Sequence, residues 1–167
     1  MKKVAVLVED QYQVLEVWYP YLRLREAGVE AVLVGTGVKK EYKSKEGYPA
    51  PEELSIKDAR VSDFDGVVIP GGYAPDILRR YKEINVFVKD MLEKGKIVAS
   101  ICHGGWVLAS AGVLKGKKVT SFSAIKDDMI NAGAAFLDKE VVVDGNLITS
   151  RNPYDLPAFC REILKKL

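Results

Sequence analysis

Short apolar runs alternate with longer amphipathic stretches along most of the chain, and this alternation restricts the fold more than any other feature. Strands this apolar are usually covered on both faces, which predicts a mostly parallel sheet between two layers of helices. The sequence therefore predicts an α/β fold, a doubly wound three-layer α/β/α sandwich. The predicted strands are 3–8, 30–35, 65–72 and 95–101, and the predicted helices are 14–27, 75–94, 103–111, 124–132 and 154–166.

Two segments depart from this pattern. Residues 140–150 have β-rich arms around Asp144-Gly145-Asn146, which predicts a small β-hairpin. Residues 36–58 are polar and contain two prolines, which predicts a loop or small hairpin on the rim. Because neither a repeat nor a linker interrupts the chain, we expect one domain over 1–167.

Composition excludes several classes of function. The net charge of +2 comes from lysines and arginines spread along the chain, so we expect no nucleic-acid partner. The apolar run that ends before Glu9 is too short for a signal peptide or a membrane span, so we expect a cytoplasmic protein without a membrane partner. Two cysteines without a secretory signal favour free thiols. With one histidine and no CxxC pair, we expect neither a metal site nor a cofactor.

Cys102 follows the predicted strand 95–101 directly and precedes the chain's only histidine, His103. Ligands of doubly wound folds bind at the carboxyl ends of the strands. Hydrolases of this architecture place a nucleophile on a sharp strand-to-helix turn with small residues two positions before and after it, here Ser100 and Gly104. The start of the following helix would favour a thiolate. We therefore predict that Cys102 is a nucleophile, the alternative being a small buried residue.

Groups that would assist Cys102 can also be named. The backbone N–H of His103 is a predicted oxyanion donor, and Gly71 or Gly72 would supply a second one. The imidazole of His103 is the only one available within the chain, although a surface histidine at a helix start is the alternative. Cys160 lies in an amphipathic stretch and is predicted to belong to the core.

Two acidic residues are candidates for the same site. Glu16 precedes Pro20, whose ring should kink the helix and could aim this carboxyl group inward; otherwise Glu16 is a solvated helix residue. Asp76 follows a proline at a predicted helix start, where a carboxylate favoured by the helix dipole is the alternative.

With these residues in view, the chain resembles the PfpI family of intracellular cysteine peptidases. The broader group of this family includes the Parkinson-disease-associated protein, glyoxalase III enzymes and protein deglycases. The resemblance runs nearly end to end and implies a flavodoxin-like sandwich with Cys102 as the nucleophile. It rests on LEVWYPYLRLREAG, VVIPGGYAPD, VASICHGGWVLASAGVLKGKKVTS, IKDDMINAGA and EVVVDGNLITSRNPYDLPAF.

The resemblance also implies roles for individual residues. Glu16 matches the family glutamate that hydrogen-bonds the cysteine sulfur. His103 matches a histidine that, in peptidase-like members, is completed by an acid from a neighbouring subunit. Asp76 stands where that acid is usually glutamate, and its shorter side chain reaches less far. We therefore expect a homo-oligomer, a dimer or larger, with Asp76 donated across an interface. Two departures are Gly105, where many relatives have proline, and Gln13, where some have an acid.

The sequence is compatible with three functions. In the peptidase hypothesis, Cys102 attacks the carbonyl group of a small peptide. In the glyoxalase III or deglycase reading, it attacks a reactive aldehyde such as methylglyoxal, or its adducts, and a hemithioacetal isomerises to lactate. In the third, a low-pKa thiolate oxidises reversibly in a redox-sensing or stress-protective protein. A glutamine amidotransferase is excluded because no histidine follows His103. Arg151 could bind a substrate carboxylate or form a structural ion pair.

Overall fold

The computed structural model describes all residues, 1–167, and contains eleven strands and six α-helices. The central sheet has seven strands in the order β10-β11-β7-β6-β1-β2-β5, and all its neighbours are parallel except β10 and β11. The strands are β1 (Lys3–Leu7), β2 (Glu30–Gly35), β3 (Glu41–Lys43), β4 (Pro49–Pro51), β5 (Leu54–Ser55), β6 (Gly66–Ile69), β7 (Ile97–Ile101), β8 (Lys118–Val119), β9 (Ala135–Phe136), β10 (Val141–Asp144) and β11 (Leu147–Ser150).

Helices cover the sheet, with α1 packed against α6 and α3 packed against α4. They are α1 (Val14–Glu26), α2 (Ala74–Leu78), α3 (Lys82–Glu93), α4 (Gly105–Ala111), α5 (Lys126–Asn131) and α6 (Leu156–Lys166). Every residue of β6 and β7 is buried, which agrees with apolar strands covered on both faces. The predicted mostly parallel, flavodoxin-like sandwich is confirmed. None of the helices has the length and hydropathy needed to cross a membrane.

The prediction of one helix over 75–94 is wrong. Helix α2 ends at Leu78, and α3 begins at Lys82 after Tyr81, whose backbone is extended. The sequence between them contains no glycine or proline that would mark the break. The break shows instead in which positions are buried. A continuous helix that buries Ala74 and Leu78 would next bury positions 81, 82 and 85. Helix α3 has a different buried face, formed by Ile84, Phe87, Val88 and Met91.

Both predicted hairpin regions form strands. Strands β10 and β11 are joined by Gly145, whose φ of +62° suits the tight turn. Within 36–58, strands β3 and β4 pair as a small antiparallel hairpin, and β5 adds to the edge of the main sheet. The short parallel pair β8–β9 was not predicted, since two-residue strands show no periodicity.

Candidate active site

Cys102 occupies a sharp turn between β7 and a 3₁₀ turn over 102–104 that leads into α4. Its φ of +59° lies in the left-handed region, which residues with a side chain adopt rarely and mostly where the surrounding structure enforces it. The turn brings backbones close together. A Cβ atom on Gly104 would lie 2.6 Å from both the carbonyl oxygen of Ile69 and Oγ of Ser100. Glycine at 104 is therefore required by the same turn that presents the sulfur.

Glu16 lies in the first turn of α1, and its side chain is wholly buried. The backbone N–H of Gly71 donates to its Oε2 at 2.7 Å. The other oxygen, Oε1, has no hydrogen-bond partner, and the side chain that interacts with this carboxyl group is the Cys102 thiol. Burial raises the pKa of Glu16 to about 7, although the hydrogen bonds from Gly71 and Cys102 oppose this rise. Helix α1 continues through Pro20, and its first turn directs Glu16 inward.

The Cys102 thiol is coupled to this carboxyl group. Burial raises the pKa of Cys102 to about 12, and the charge of Glu16 contributes to the rise, while the backbone N–H groups of Gly72 and His103 donate to the sulfur and lower it. Each negative charge disfavours the other, so the pair holds two protons below about pH 7 and one proton above it. Transfer of that proton from sulfur to Glu16 produces a thiolate held by two N–H groups.

The imidazole of His103 is held beside the sulfur by two aromatic rings. Its Nδ1 lies 3.2 Å from Sγ of Cys102, Phe122 stacks on the ring at a centroid distance of 5.0 Å, and Trp106 meets it edge-on at 5.0 Å. Burial lowers the pKa of His103, and the positive charge of Lys45 lowers it further. The imidazole is therefore neutral at pH 7. No carboxylate hydrogen-bonds to it within the chain; Asp128 accepts from Nε1 of Trp106 instead.

The structure decides between the two glycines predicted as the second oxyanion donor. The N–H of Gly71 is not free, because it donates to Glu16. The N–H groups of Gly72 and His103 converge on the sulfur. Gly72 has a φ of +77°, and a Cβ atom there would lie 2.5 Å from the backbone of Gln11 and of Gln13. Gly71 therefore has a different role from the predicted one: it holds Glu16.

A pocket of about 240 Å³ lies over Cys102. The residues lining it come from separate parts of the chain: Gln13, Glu16, Lys45, Gly72, Cys102, His103, Phe122, Asn152 and Pro153. Lys45, in the turn between β3 and β4, was not predicted from the sequence. The hairpin itself was predicted as one possibility, but no signal distinguishes Lys45 from the neighbouring Lys39, Lys40 and Lys43.

Three predicted site residues are not among those that line this pocket: Gly71, which lies behind it and holds Glu16, Asp76 and Arg151. Asp76 lies on α2, and its carboxylate forms a salt bridge with Arg80. Arg151 donates to Asp155 through Nε and Nη2 and to Asp138 through Nη1, and it lines an adjacent cavity of about 400 Å³. The ion-pair alternative for Arg151 is thus the one observed. No group of three or more histidine, cysteine, aspartate or glutamate side chains is arranged to hold a metal.

A cysteine presented at the carboxyl edge of a parallel sheet, with its proton shared by a buried carboxyl group, defines a cysteine hydrolase-type enzyme. The sequence pattern of the DJ-1/PfpI family matches residues 2–166, and the chain belongs to this family.

Named relatives agree with this class. "Deglycase PfpI" of Pyrococcus furiosus is 44% identical over 99% of this chain and 99% of its own length. "Putative cysteine protease YraA" of Bacillus subtilis is 44% identical over 99% of this chain and 98% of its own length. A solved two-domain protein of Anabaena variabilis, which contains a DJ-1/ThiJ/PfpI-like and a ferritin-like domain, has a TM-score of 0.97 at 46% identity, covering 99% of this chain and 48% of that one. The prediction of a PfpI-type cysteine hydrolase is confirmed.

Proposed function

We propose that the protein is a deglycase: it hydrolyses the adducts that methylglyoxal forms with amines, releasing the amine and lactate. The observation that carries this proposal is the Cys102–Glu16 pair, a thiol and a buried carboxyl group that line one small pocket within a single chain. This reaction needs a nucleophile, one movable proton and oxyanion donors, and it does not need an acid behind His103. Relatives named deglycase support the proposal.

The steps follow from the positions of these groups. Glu16 takes the thiol proton, and Sγ of Cys102 attacks the carbinol carbon of the adduct. The C–N bond breaks, and the amine leaves with a proton from Glu16. In the resulting hemithioacetal, the C–H proton moves from the carbon bearing sulfur to the neighbouring carbonyl carbon, and the hydroxyl proton passes to the former ketone oxygen, which gives a lactoyl thioester. Water hydrolyses this thioester and restores the thiol. The N–H groups of Gly72 and His103 are placed to stabilise the oxyanions.

The test uses one purified preparation and two substrates, a methylglyoxal adduct of an amine and a fluorogenic peptide. We expect lactate and free amine to form in equal amounts from the adduct. Cys102→Ser should abolish both products, whereas Cys160→Ala, which removes the other thiol from the core of α6, should leave the rate unchanged. Full activity of Cys102→Ser, or amine release no faster than spontaneous decay, would exclude the proposal.

A peptidase is the second candidate, and the 3.2 Å contact between His103 and Cys102 favours it. In this reaction the imidazole takes the thiol proton as Sγ attacks a peptide carbonyl, the amine leaves with that proton, and water hydrolyses the thioester. A histidine is a more effective general base when a carboxylate orients its ring and stabilises its protonated form. We propose that Asp76 of a second copy supplies that carboxylate in a homo-oligomer. We also propose that the protein acts in the cytoplasm, where its two free thiols stay reduced.

A further inference from the structure

The unpaired polar groups around the Cys102 pocket are almost all hydrogen-bond donors. Gln13 uses its side-chain oxygen to accept from the N–H of Glu16 at 3.0 Å, which leaves its NH₂ group unpaired. Asn152 does the same with the N–H of Tyr154 at 3.0 Å. In both residues the oxygen is used at the start of a helical segment, so the NH₂ group is the part of the amide left without a partner. The pocket therefore complements a molecule rich in acceptor oxygens.

Lys45 adds a positive charge to these donors. Its side chain lines the pocket, and it forms no salt bridge within the chain. Its positive charge lowers the pKa values of Glu16 and His103. Glu16 is the only acid that lines the pocket, and near neutral pH it shares its charge and one proton with Cys102. An unpaired cation among donors favours an anionic ligand.

The turn that carries Lys45 is firmly attached to the rest of the site. The N–H of Lys45 donates to the carbonyl oxygen of Tyr12 at 3.1 Å, and Oγ of the buried Ser44 accepts from the N–H groups of Glu46 and Tyr48. The hydroxyl group of Tyr12 donates to the carbonyl oxygen of Tyr48 at 2.7 Å. The Lys45 backbone is thus fixed beside Gln13, and only the side chain has to move to reach a ligand.

We propose that this donor set, Lys45 with the amides of Gln13 and Asn152, binds a carboxylate on the substrate, so that the preferred substrates are methylglyoxal adducts of free amino acids. This inference rests on the proposed deglycase function and names its substrate class. In such an adduct the α-carboxylate belongs to the leaving amine and lies two bonds from the nitrogen of the C–N bond that breaks. A pocket of about 240 Å³ suits this small molecule, since it is smaller than the usual drug-sized site.

The test compares methylglyoxal adducts of alanine and of alaninamide, which differ in the negative charge. Because the two amines also differ in basicity, the measured quantity is the ratio of their kcat/KM values in each protein. We expect Lys45→Met to lower the ratio of alanine to alaninamide about tenfold, and Lys45→Arg to keep it. Lys43→Met, on the exposed strand β3, is the matched control and should not change it. An unchanged ratio in Lys45→Met would overturn the inference.

A binding experiment separates this inference from the proposed function. In a Cys160→Ala background, alkylation of Cys102 by iodoacetamide is followed with N-acetylalanine or N-acetylalaninamide present. We expect the acid to slow alkylation, the amide to leave it unchanged, and Lys45→Met to abolish the difference. Equal protection by both compounds would overturn the inference even if the enzyme cleaves adducts. Selective protection without cleavage of either adduct would support carboxylate binding and refute the deglycase proposal.

Discussion

At the scale of single residues, Glu16 and Cys102 behave as one titrating unit. Both are buried, and no cation pairs with either of them, so two negative charges cannot be held side by side. The unit needs one proton to be stable in the fold, and the same proton has to leave the sulfur for catalysis. A carboxyl group that accepts it without solvent exposure serves both needs.

This unit predicts how stability depends on pH. The carboxyl pKa of Glu16 is raised from 4.5 to about 7 on folding. Between these values the folded protein holds a proton that the unfolded chain has lost, so the contribution of Glu16 to stability falls as pH rises through this window. Glu16→Gln does not titrate and can still accept from the N–H of Gly71. When the pH is raised from 5 to 8, we expect the unfolding free energy of Glu16→Gln to increase by on the order of 3 kcal/mol relative to that of wild type.

Urea unfolding at pH 5 and pH 8 measures this difference. Glu93→Gln is the matched control, because Glu93 is exposed on α3 and should show the pH dependence of wild type. The pKa of Glu9 is also raised by burial, but Glu9 is present in all three proteins and its effect cancels. Parallel pH dependence of Glu16→Gln and wild type would show that Glu16 does not hold the proton.

At the scale of elements, Gly71 and Gly105 differ in what an added Cβ atom would meet, and their alanine variants therefore test how closely the site is packed. A Cβ atom on Gly71 would lie 2.5 Å from Oε2 of Glu16 and 2.7 Å from Cβ of Cys102, neither of which can move away. On Gly105 it would lie 2.7 Å from Sδ of Met129, the flexible end of a side chain. We expect Gly71→Ala to lower kcat/KM at least about a hundredfold, and Gly105→Ala to keep activity near wild type.

Thermal unfolding of both variants accompanies the kinetic measurement. Gly71→Ala should remain folded, because the crowding is confined to the site. Comparable activity of the two variants would contradict the close packing described for the Gly71–Glu16–Cys102 contact.

The same elements show which parts of the structure the sequence could predict. Strong local signals in the sequence mark the buried strands β1 and β7, and glycines mark the ends of α1 and α4. The turn that carries the nucleophile has a local signal as well. The break between α2 and α3 has no such residue, because it depends on which side chains the sheet buries. Lys45 could not be predicted because the register of the β3–β4 hairpin and its bridge to Tyr12 are set by long-range contacts.

At the scale of the whole molecule, His103 lacks the carboxylate that a peptidase would need. Asp76 lies outside the Cys102 pocket of its own chain and is partly exposed on α2. Helix α1, which carries Glu16, exposes Leu15, Tyr19 and Leu22 along one face, and apolar surface of this kind is favourable in contacts between copies. Both observations support the proposal that the peptidase-type site is completed in a homo-oligomer.

Complementation between inactive chains tests this proposal. If Asp76 acts on the His103 of a neighbouring copy, Cys102→Ala and Asp76→Asn each destroy a different half of one composite site. We expect each variant alone to lack activity on a fluorogenic peptide. Equal amounts that are unfolded and refolded together should recover roughly a quarter of wild-type activity, since random mixing pairs an intact Cys102 with an intact Asp76 at about one site in four.

A pair of Cys102→Ala and Glu16→Gln is the control. It should recover nothing beyond the residual activity of its members, because these residues meet within one chain. Mixtures of the first pair that stay inactive would show that Asp76 completes no site in another copy, and the peptidase would then have to rely on an unsupported His103.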